Sequence, residues 1–306
     1  MNLIGQHSSR SPETAEEQQL LAAVIVTYNS AGVLPGLLDS LSQGFEGVAR
    51  REVIVVDNAS QDDSVALALA HPIGAKVIPM GRNAGYAAAI NAAAAQLGPD
   101  ANMLILNPDI RLLRGCARAL QEYLSDPSVG IVVPQILDED GSYAKSLRRE
   151  PSLVTAWSDA LLGTRLAARI GTGEIVDDPA LYQSGGPVEW ATGAILVVPA
   201  ATRRKVGNWD ESFFLYSEEV DYLRRVRATG ASVVYVPQAQ AVHIGGEYHD
   251  NVFLTALMTN NRIRYYRRHH KMVATALFRL SIIVGETMRV TLSSGHRAAL
   301  RAALGL

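Results

Sequence analysis

Four apolar runs of strand length, each stopped by a polar cluster, constrain this chain more than any other feature of its sequence. Leu20 to Thr27 is continuously apolar, as a strand buried on both faces requires, and it breaks at Tyr28, Asn29 and Ser30. Glu52 to Asp57, Ala75 to Met80 and Asn102 to Leu106 repeat the pattern, leading into Asp57-Asn58, Gly81-Arg82-Asn83 and Asn107-Pro108-Asp109. Val33 to Leu41 has helical spacing of apolar residues, and Ala87 to Ala95 reads as an alanine-rich helix packed closely on a sheet. This alternation predicts an α/β fold, a Rossmann-like, mostly parallel sheet flanked by helices. The loops after Thr27, Val56, Met80 and Leu106 then share one edge, where ligands of open α/β sheets bind.

That edge gathers polar side chains. Pro108 lacks an amide donor and fixes its own φ, so the strand stops and Asp109 sits just past its end. Alone, Asn107-Pro108-Asp109 is an ordinary turn. Set beside Thr27, Tyr28, Asn29, Asp57, Arg82 and Asn83, it becomes part of a crevice suited to a nucleotide diphosphate. Asp57 can accept from ribose hydroxyls or a base imide, and Arg82 can meet a phosphate. Gly85 lets the backbone approach at a helix start, where free amides favour anions. No GxGxxG follows the first strand and there is no Walker lysine motif, which excludes a dinucleotide dehydrogenase and a P-loop NTPase.

Further along, Val129 to Pro134 reads as a strand and Asp138 to Gly141 as a turn. Val188 to Val198 reads as one strand with Gly193 inside it, a mark of a bulge or a close approach. Trp190 is either core or a platform for a sugar ring. Ser217 is a plausible N-cap, which places Glu218 and Glu219 in a first helical turn, where acids are favoured by the dipole alone. Glu219 shares a stripe with Tyr222, Leu223 and Val226 and should point inward, while Asp221 can pair with Arg224 or Arg225. An inward carboxylate is costly unless it is paired or used. Ser232 to Val236 reads as a last short strand, followed by Pro237 and then by His243 before a glycine pair. Imidazole with carboxylate suits Mg2+ or Mn2+.

The 306 residues are 48% apolar, ample for a packed core, and carry a net charge of −2, which gives no global attraction to nucleic acid or to an anionic membrane. Cys116 is the only cysteine, which excludes an intramolecular disulfide framework and a thiolate metal cluster and fits a reducing cytoplasm. No apolar run reaches the roughly 18 to 20 residues of a membrane-spanning helix. Residues 1–19 read as a disordered tail. Residues 20–250 read as the main domain, with a nucleotide half at 20–135 and a second half at 136–250. Residues 251–306 read as a basic, amphipathic helical segment. Between Asn251 and Gly285 there is no acid, while Arg262, Arg264, Arg267, Arg268 and Lys271 interleave with Tyr265 and Tyr266. This is either a solvated basic helix or an interfacial one touching anionic lipid through 251–290, with its aromatics at headgroup level. No nucleic-acid-binding motif is recognised.

Taken together, Val-Ile-Val-Thr-Tyr-Asn29, Val-Val-Asp-Asn-Ala-Ser60, Arg-Asn-Ala-Gly-Tyr86 with Asn91, Leu-Asn-Pro-Asp109, Trp-Ala-Thr-Gly-Ala194 and Phe-Phe-Leu-Tyr-Ser-Glu-Glu-Val-Asp221 with Arg225 resemble the family-2 glycosyltransferases of the GT-A fold, rhamnosyltransferase-like branch. The resemblance runs from about Leu21 to His270. It implies that Thr27, Tyr28, Asn29 and Asp57 hold the nucleoside of a dTDP- or UDP-sugar, with Arg82, Asn83 and Gly85 near it. Asn107 and Asp109 stand at the family's Asp-X-Asp motif, with Asp109 and His243 as ligands of Mg2+ or Mn2+. Glu219 falls where the branch has its general base, usually the aspartate of a Glu-Asp pair; here Glu218 and Glu219 form the pair. Trp190, Thr192 and Gly193 fall on the acceptor side.

The expected reaction is an inverting, metal-dependent transfer, best read as L-rhamnose from dTDP-rhamnose to a hydroxyl of a glycan or polyprenyl-diphosphate-linked acceptor in cell-envelope polysaccharide synthesis. The setting would be cytoplasmic, or peripheral at the inner membrane face. A UDP-hexose or UDP-galactofuranose donor, a soluble small-molecule acceptor, a homodimer and a catalytically silent nucleotide-sugar-binding scaffold stay open.

Overall fold

The computed structural model describes residues 19–245 and 251–306, so the tail expected at 1–19 lies outside the described residues apart from Gln19. The first half follows the expected alternation: β1 (Leu21–Thr27), α1 (Leu34–Gly44), β2 (Arg51–Asp57), α2 (Ser64–Ala70), β3 (Lys76–Pro79), α3 (Tyr86–Gln96) and β4 (Asn102–Leu106). A short β5 (Ile110–Leu112) and α4 (Cys116–Gln121) lead to β6 (Val129–Leu137). Then come β7 (Leu147–Arg148), α5 (Leu153–Leu162), α6 (Thr164–Arg169), α7 (Pro179–Ser184), β8 (Gly186–Val188), β9 (Trp190–Ala191), β10 (Ile195–Val198) and α8 (Ala200–Val206). A 3-10 turn at Glu211–Phe213 precedes α9 (Glu218–Ala228) and β11 (Ser232–His243), and the chain closes with α10 (Val252–His269), α11 (Met272–Arg289) and α12 (Ser294–Leu304).

The main sheet runs β3-β2-β1-β4-β10-β6-β11-β5, with β8 added to β11. Strands β3, β2, β1 and β4 are parallel, β10 runs antiparallel between β4 and β6, and β11 returns parallel to β6. Alternate residues of β1 serve opposite faces. Leu21, Ala23 and Ile25 pack with Leu37 and Leu41 of α1 and Leu120 of α4. Val24 and Val26 pack with Ala89 and Ile90 of α3 and Leu223 of α9. A sheet covered on both faces needs strands without polar alternation, which is what β1, β2 and β4 supply. Cys116 is buried in the first of these layers, which pushes its thiol up to about 12 and leaves it inert.

Two expectations about strands are corrected here. The stretch Val188 to Val198 is not one strand but β8, β9 and β10, which pair respectively with β11, with β7, and with β4 and β6; Gly193 sits in the break between β9 and β10. Strand β11 does not end at Val236. It continues through Pro237, and a register shift between Val236 and Gln240 absorbs the missing amide donor. His243 is therefore the last residue of a strand.

The basic helix α10 exposes Arg267 and Arg268 but turns its aromatics inward, to neither solvent nor lipid. Tyr265 and Tyr266 are both buried, and Tyr266 is stacked between His270 and Phe278. Arg262 pairs with Glu174 at 2.6 Å, Arg268 with Asp210, and Arg264 donates to the carbonyl of Ser212. Among the described residues no helix is long and apolar enough to cross a membrane.

Candidate active site

At the ends of β1 and β2, the polar residues bind one another. Thr27 Oγ1 donates to Asp57 Oδ1 at 3.1 Å, Ser60 Oγ donates to the same oxygen at 2.5 Å, and the Ser60 amide donates to Asp57 Oδ2 at 3.0 Å. Asn29, with φ of 50°, accepts from the Gln61 amide at 2.8 Å. These bonds hold the loops after β1 and β2 together and leave Tyr28 exposed above them. Arg82 is exposed at the next loop.

Two amides at the start of α3 are taken up within the protein. The Gly85 amide donates to Asn83 Oδ1 at 3.2 Å, and the Tyr86 amide to the carbonyl of Phe214 at 2.7 Å. Glycine is required for a different close approach: a Cβ at 85 would sit 2.4 Å from the Phe214 carbonyl oxygen, and φ is +93°.

Past the end of β4, Asp109 is buried next to His243. Strands β5 and β11 pair antiparallel with Ile110 opposite His243, and the Ile244 amide donates to the Asp109 carbonyl at 3.1 Å. This register puts His243 Nε2 3.1 Å from Asp109 Oδ2. The hydrogen bond to that carboxylate lifts the imidazole above its usual range, against the opposing effect of burial. Asp109 Oδ1 is buried and has no protein partner.

The glutamate pair opens α9. Ser217 stands at the N-cap position, but its side chain makes no capping bond and its φ is 73°, so the expected cap is absent. Phe214 and Tyr216, at 63° and 69°, share this left-handed conformation, which residues with a Cβ seldom adopt. Glu218 is the more deeply buried of the pair, and Glu219 is half-buried against Gly193, where an added Cβ would lie 3.3 Å from Glu219 Cβ.

Each glutamate has a buried Oε2 without a protein partner. Burial raises both carboxyl groups above their usual range; Glu219 adds to the rise at Glu218, while helix-start amides and Arg148 oppose it at Glu219. Asp221 faces away from this pair, bonded to Arg225 at 2.8 Å as expected and also to His269 at 3.3 Å.

One cavity of about 630 Å³ reaches both corners, although Asp109 itself is covered and does not line it. Asn107 and His243 line it at one corner and Glu218 and Glu219 at the other, with Trp190, Thr192 and Gly193 in its wall. Thr27, Asp57 and Arg82 stand at the same sheet edge without lining this cavity. The Trp190 ring is buried, with its N–H on the carbonyl of Arg149 at 2.8 Å, so it is core with one face on the cavity.

The sequence profile described as Glycosyl transferase family 2 matches residues 22–179. The chain belongs to this family. The glycosyltransferase is 33% identical over 235 residues to the N-acetylglucosaminyl-diphospho-decaprenol L-rhamnosyltransferase of Mycobacterium tuberculosis, covering 73% of this chain and 76% of the relative. It is 24% identical to the rhamnosyltransferase WbbL of Escherichia coli over 74% of this chain and 84% of that one. These matches put it in the rhamnosyltransferase-like branch. Its fold is GT-A: the mannosyltransferase of Pyrobaculum calidifontis, solved with GDP-Man and Mn2+, superposes with a TM-score of 0.56 at 17% identity, covering 93% of this chain and 73% of that one.

Several residues of the glycosyltransferase site escaped the sequence. Tyr86 lies between the corners: its hydroxyl donates to the Gly193 carbonyl at 3.2 Å, and burial together with Glu218, Glu219 and Asp109 holds it protonated. Asn58 fastens the loop before α3, accepting from the Ala84 amide and donating to the Gly85 carbonyl, each at 3.3 Å. Arg148 and Arg262 line the cavity from β7 and α10. Their one available signal was position, since Tyr86 and Asn58 sit inside motifs already singled out.

Proposed function

We propose that this glycosyltransferase moves L-rhamnose from dTDP-rhamnose, with inversion, to a hydroxyl of a lipid-linked glycan. The observation that carries the reading is a single cavity lined by Glu218 and Glu219 at one corner and at the other by His243, which is hydrogen-bonded to buried Asp109; all three carboxyl groups keep one buried oxygen without a protein partner. The name of the Mycobacterium tuberculosis relative supports the donor sugar and the diphosphate-lipid acceptor.

Glu219 is the general base. A carboxylate made more basic by burial takes the acceptor hydroxyl's proton more readily as that oxygen attacks the anomeric carbon. Burial and the neighbouring Glu219 raise the Glu218 carboxyl as well. Tyr86 bridges toward Gly193 and fixes the wall against which Glu219 rests. Thr27, Tyr28, Asn29, Asp57, Arg82 and Asn83 hold the nucleotide, with Tyr28 offering an exposed ring face.

The donor set of one carboxylate and one imidazole, with Asp109 Oδ1 unpartnered, fits a divalent ion such as Mg2+ or Mn2+. Among the described residues no third His, Cys, Asp or Glu joins them, so the donor diphosphate and solvent would complete the shell. Such an ion would offset negative charge gathering on the departing diphosphate.

The enzyme would work in the cytoplasm at the inner membrane face, touching anionic lipid through 251–290. The support is the exposed stripe Val273, Leu277, Leu280 and Met288 on α11, in a segment without acids before Glu286. A donor screen following nucleotide release with dTDP-rhamnose, UDP-glucose, UDP-galactofuranose and UDP-GlcNAc tests the reading. Preference for dTDP-rhamnose is expected; preference for a UDP-sugar overturns the donor assignment, and silence with every donor and acceptor favours a binding scaffold.

A further inference from the structure

The loop that delivers the glutamates is held from outside as well as by its own turn, in which the Leu215 amide donates to the Phe213 carbonyl at 2.7 Å. Phe214, Tyr216 and Ser217 are all left-handed, and Ser217 does not cap α9. Conformations of this kind persist only where the surroundings impose them. Two groups grip the loop. From the nucleotide half, the Tyr86 amide donates to the Phe214 carbonyl at 2.7 Å. From the other side comes Asn261 of α10, a buried side chain whose Nδ2 donates to the carbonyls of Phe213, Leu215 and Tyr216 at 2.6, 2.9 and 3.3 Å.

An amide nitrogen carries two protons, so three carbonyls share them, and of the three Phe213 also accepts from the Leu215 amide at 2.7 Å. Few other side chains could replace Asn261. A carboxylate has no donor and would face three carbonyl oxygens; an alkyl group would leave them without that donor in a buried place. Asn261 itself does not line the cavity, whereas Met258, Arg262 and Tyr265 of the same helix do. The helix that walls the acceptor side therefore also fastens the loop leading into Glu218 and Glu219.

We propose that Asn261 is a positioning residue for the glutamate pair, acting through the carbonyls of Phe213, Leu215 and Tyr216 on the first turn of α9. The proposal rests on the reading of Glu219 as the base. It makes the carboxyl-terminal helices part of the catalytic apparatus and not only a support for the acceptor.

The test is a double-mutant cycle in the full chain, with dTDP-rhamnose and a synthetic N-acetylglucosaminyl-diphospho-lipid as substrates. Asn261→Ala and the size-matched Asn261→Asp should each lower kcat at least about tenfold, with donor KM and dTDP affinity within about twofold, because only the base is displaced. Asn261→Ser, which keeps one short donor, should fall between them and the native enzyme. Added to Glu219→Gln, each should cost less than about twofold further, since the group they position is already disabled.

Native kcat in folded Asn261→Ala and Asn261→Asp overturns the proposal. So do losses that multiply with Glu219→Gln, or that fall equally on dTDP affinity, because a general packing defect behaves that way. Full activity of Glu219→Gln overturns the base assignment instead, and the cycle run against Glu218→Gln then decides whether Asn261 positions the pair.

Discussion

The Asp109 corner and the glutamate corner place the same functional group in opposite company. Asp109 faces an imidazole at 3.1 Å, and the pair favours charge: His243 holds its proton more tightly because a carboxylate is beside it. Glu218 and Glu219 face each other in a buried turn, and that pair favours neutrality, with both carboxyl groups displaced upward. A cation is welcome at the first corner and a proton at the second. On the proposed reading, carboxylates serve as an electrostatic anchor and as a proton acceptor through different neighbours, not different residue types.

The contrast breaks most visibly at Glu219. Glu219→Gln should lower kcat about a hundredfold to ten-thousandfold, the usual worth of general-base help, while calorimetry finds dTDP affinity nearly unchanged. In the native enzyme, the acidic limb of kcat/KM should lie above the ordinary glutamate value of about 4.3, because the base must first lose a proton that burial holds. Asp109→Asn removes the charge from the other corner. A charge-assisted hydrogen bond is worth ~1.5–3 kcal/mol, so donor turnover should fall roughly tenfold to a hundredfold and respond less to added Mn2+ or to chelation. In the same variant, NMR titration should find the His243 pKa moved down toward the ordinary imidazole value.

A smaller effect sharpens the geometry. Gly193→Ala places a methyl group 3.3 Å from Glu219 Cβ, a few tenths of an ångström too close, and should reduce kcat by less than about tenfold. Smallest is a change in stability. A carboxyl whose folded pKa is raised binds more protons in the native state, so stability is lost as pH rises from the unfolded pKa to the folded one. Glu218→Gln removes that loss. Its denaturation midpoint should exceed the native one near about pH 8, with the gap closing at about pH 4.

Much of this was readable from residue order. Strands β1 to β4 announce themselves because a sheet covered on both faces demands uninterrupted apolar runs, and their polar ends fall at one edge by topology. What stayed hidden depends on partners far along the chain. Pro237 reads as a stop, yet a register shift lets β11 pass it and deliver His243. Ser217 has the composition of a cap without the geometry, because Phe214 and Tyr216 turn the chain left-handed before it. The pattern of α10 gives its basic residues no partners, although Glu174 and Asp210, far back in the chain, supply them. Tyr265 and Tyr266 look amphipathic for the same reason, and prove to be core.

The pairing of Asp109 with His243 spans 134 positions, and the fastening of Phe213 waits for Asn261, 48 positions on. During synthesis at roughly 5–20 residues per second, the strands around Asp109 would emerge on the order of 10 s before His243 arrives. Over that interval a growing chain could hold a formed nucleotide crevice with no companion for its acid and no fastened glutamates. On the proposed roles of Glu219 and Asn261, a fragment ending before α10 would be expected to bind nucleotide without transferring sugar.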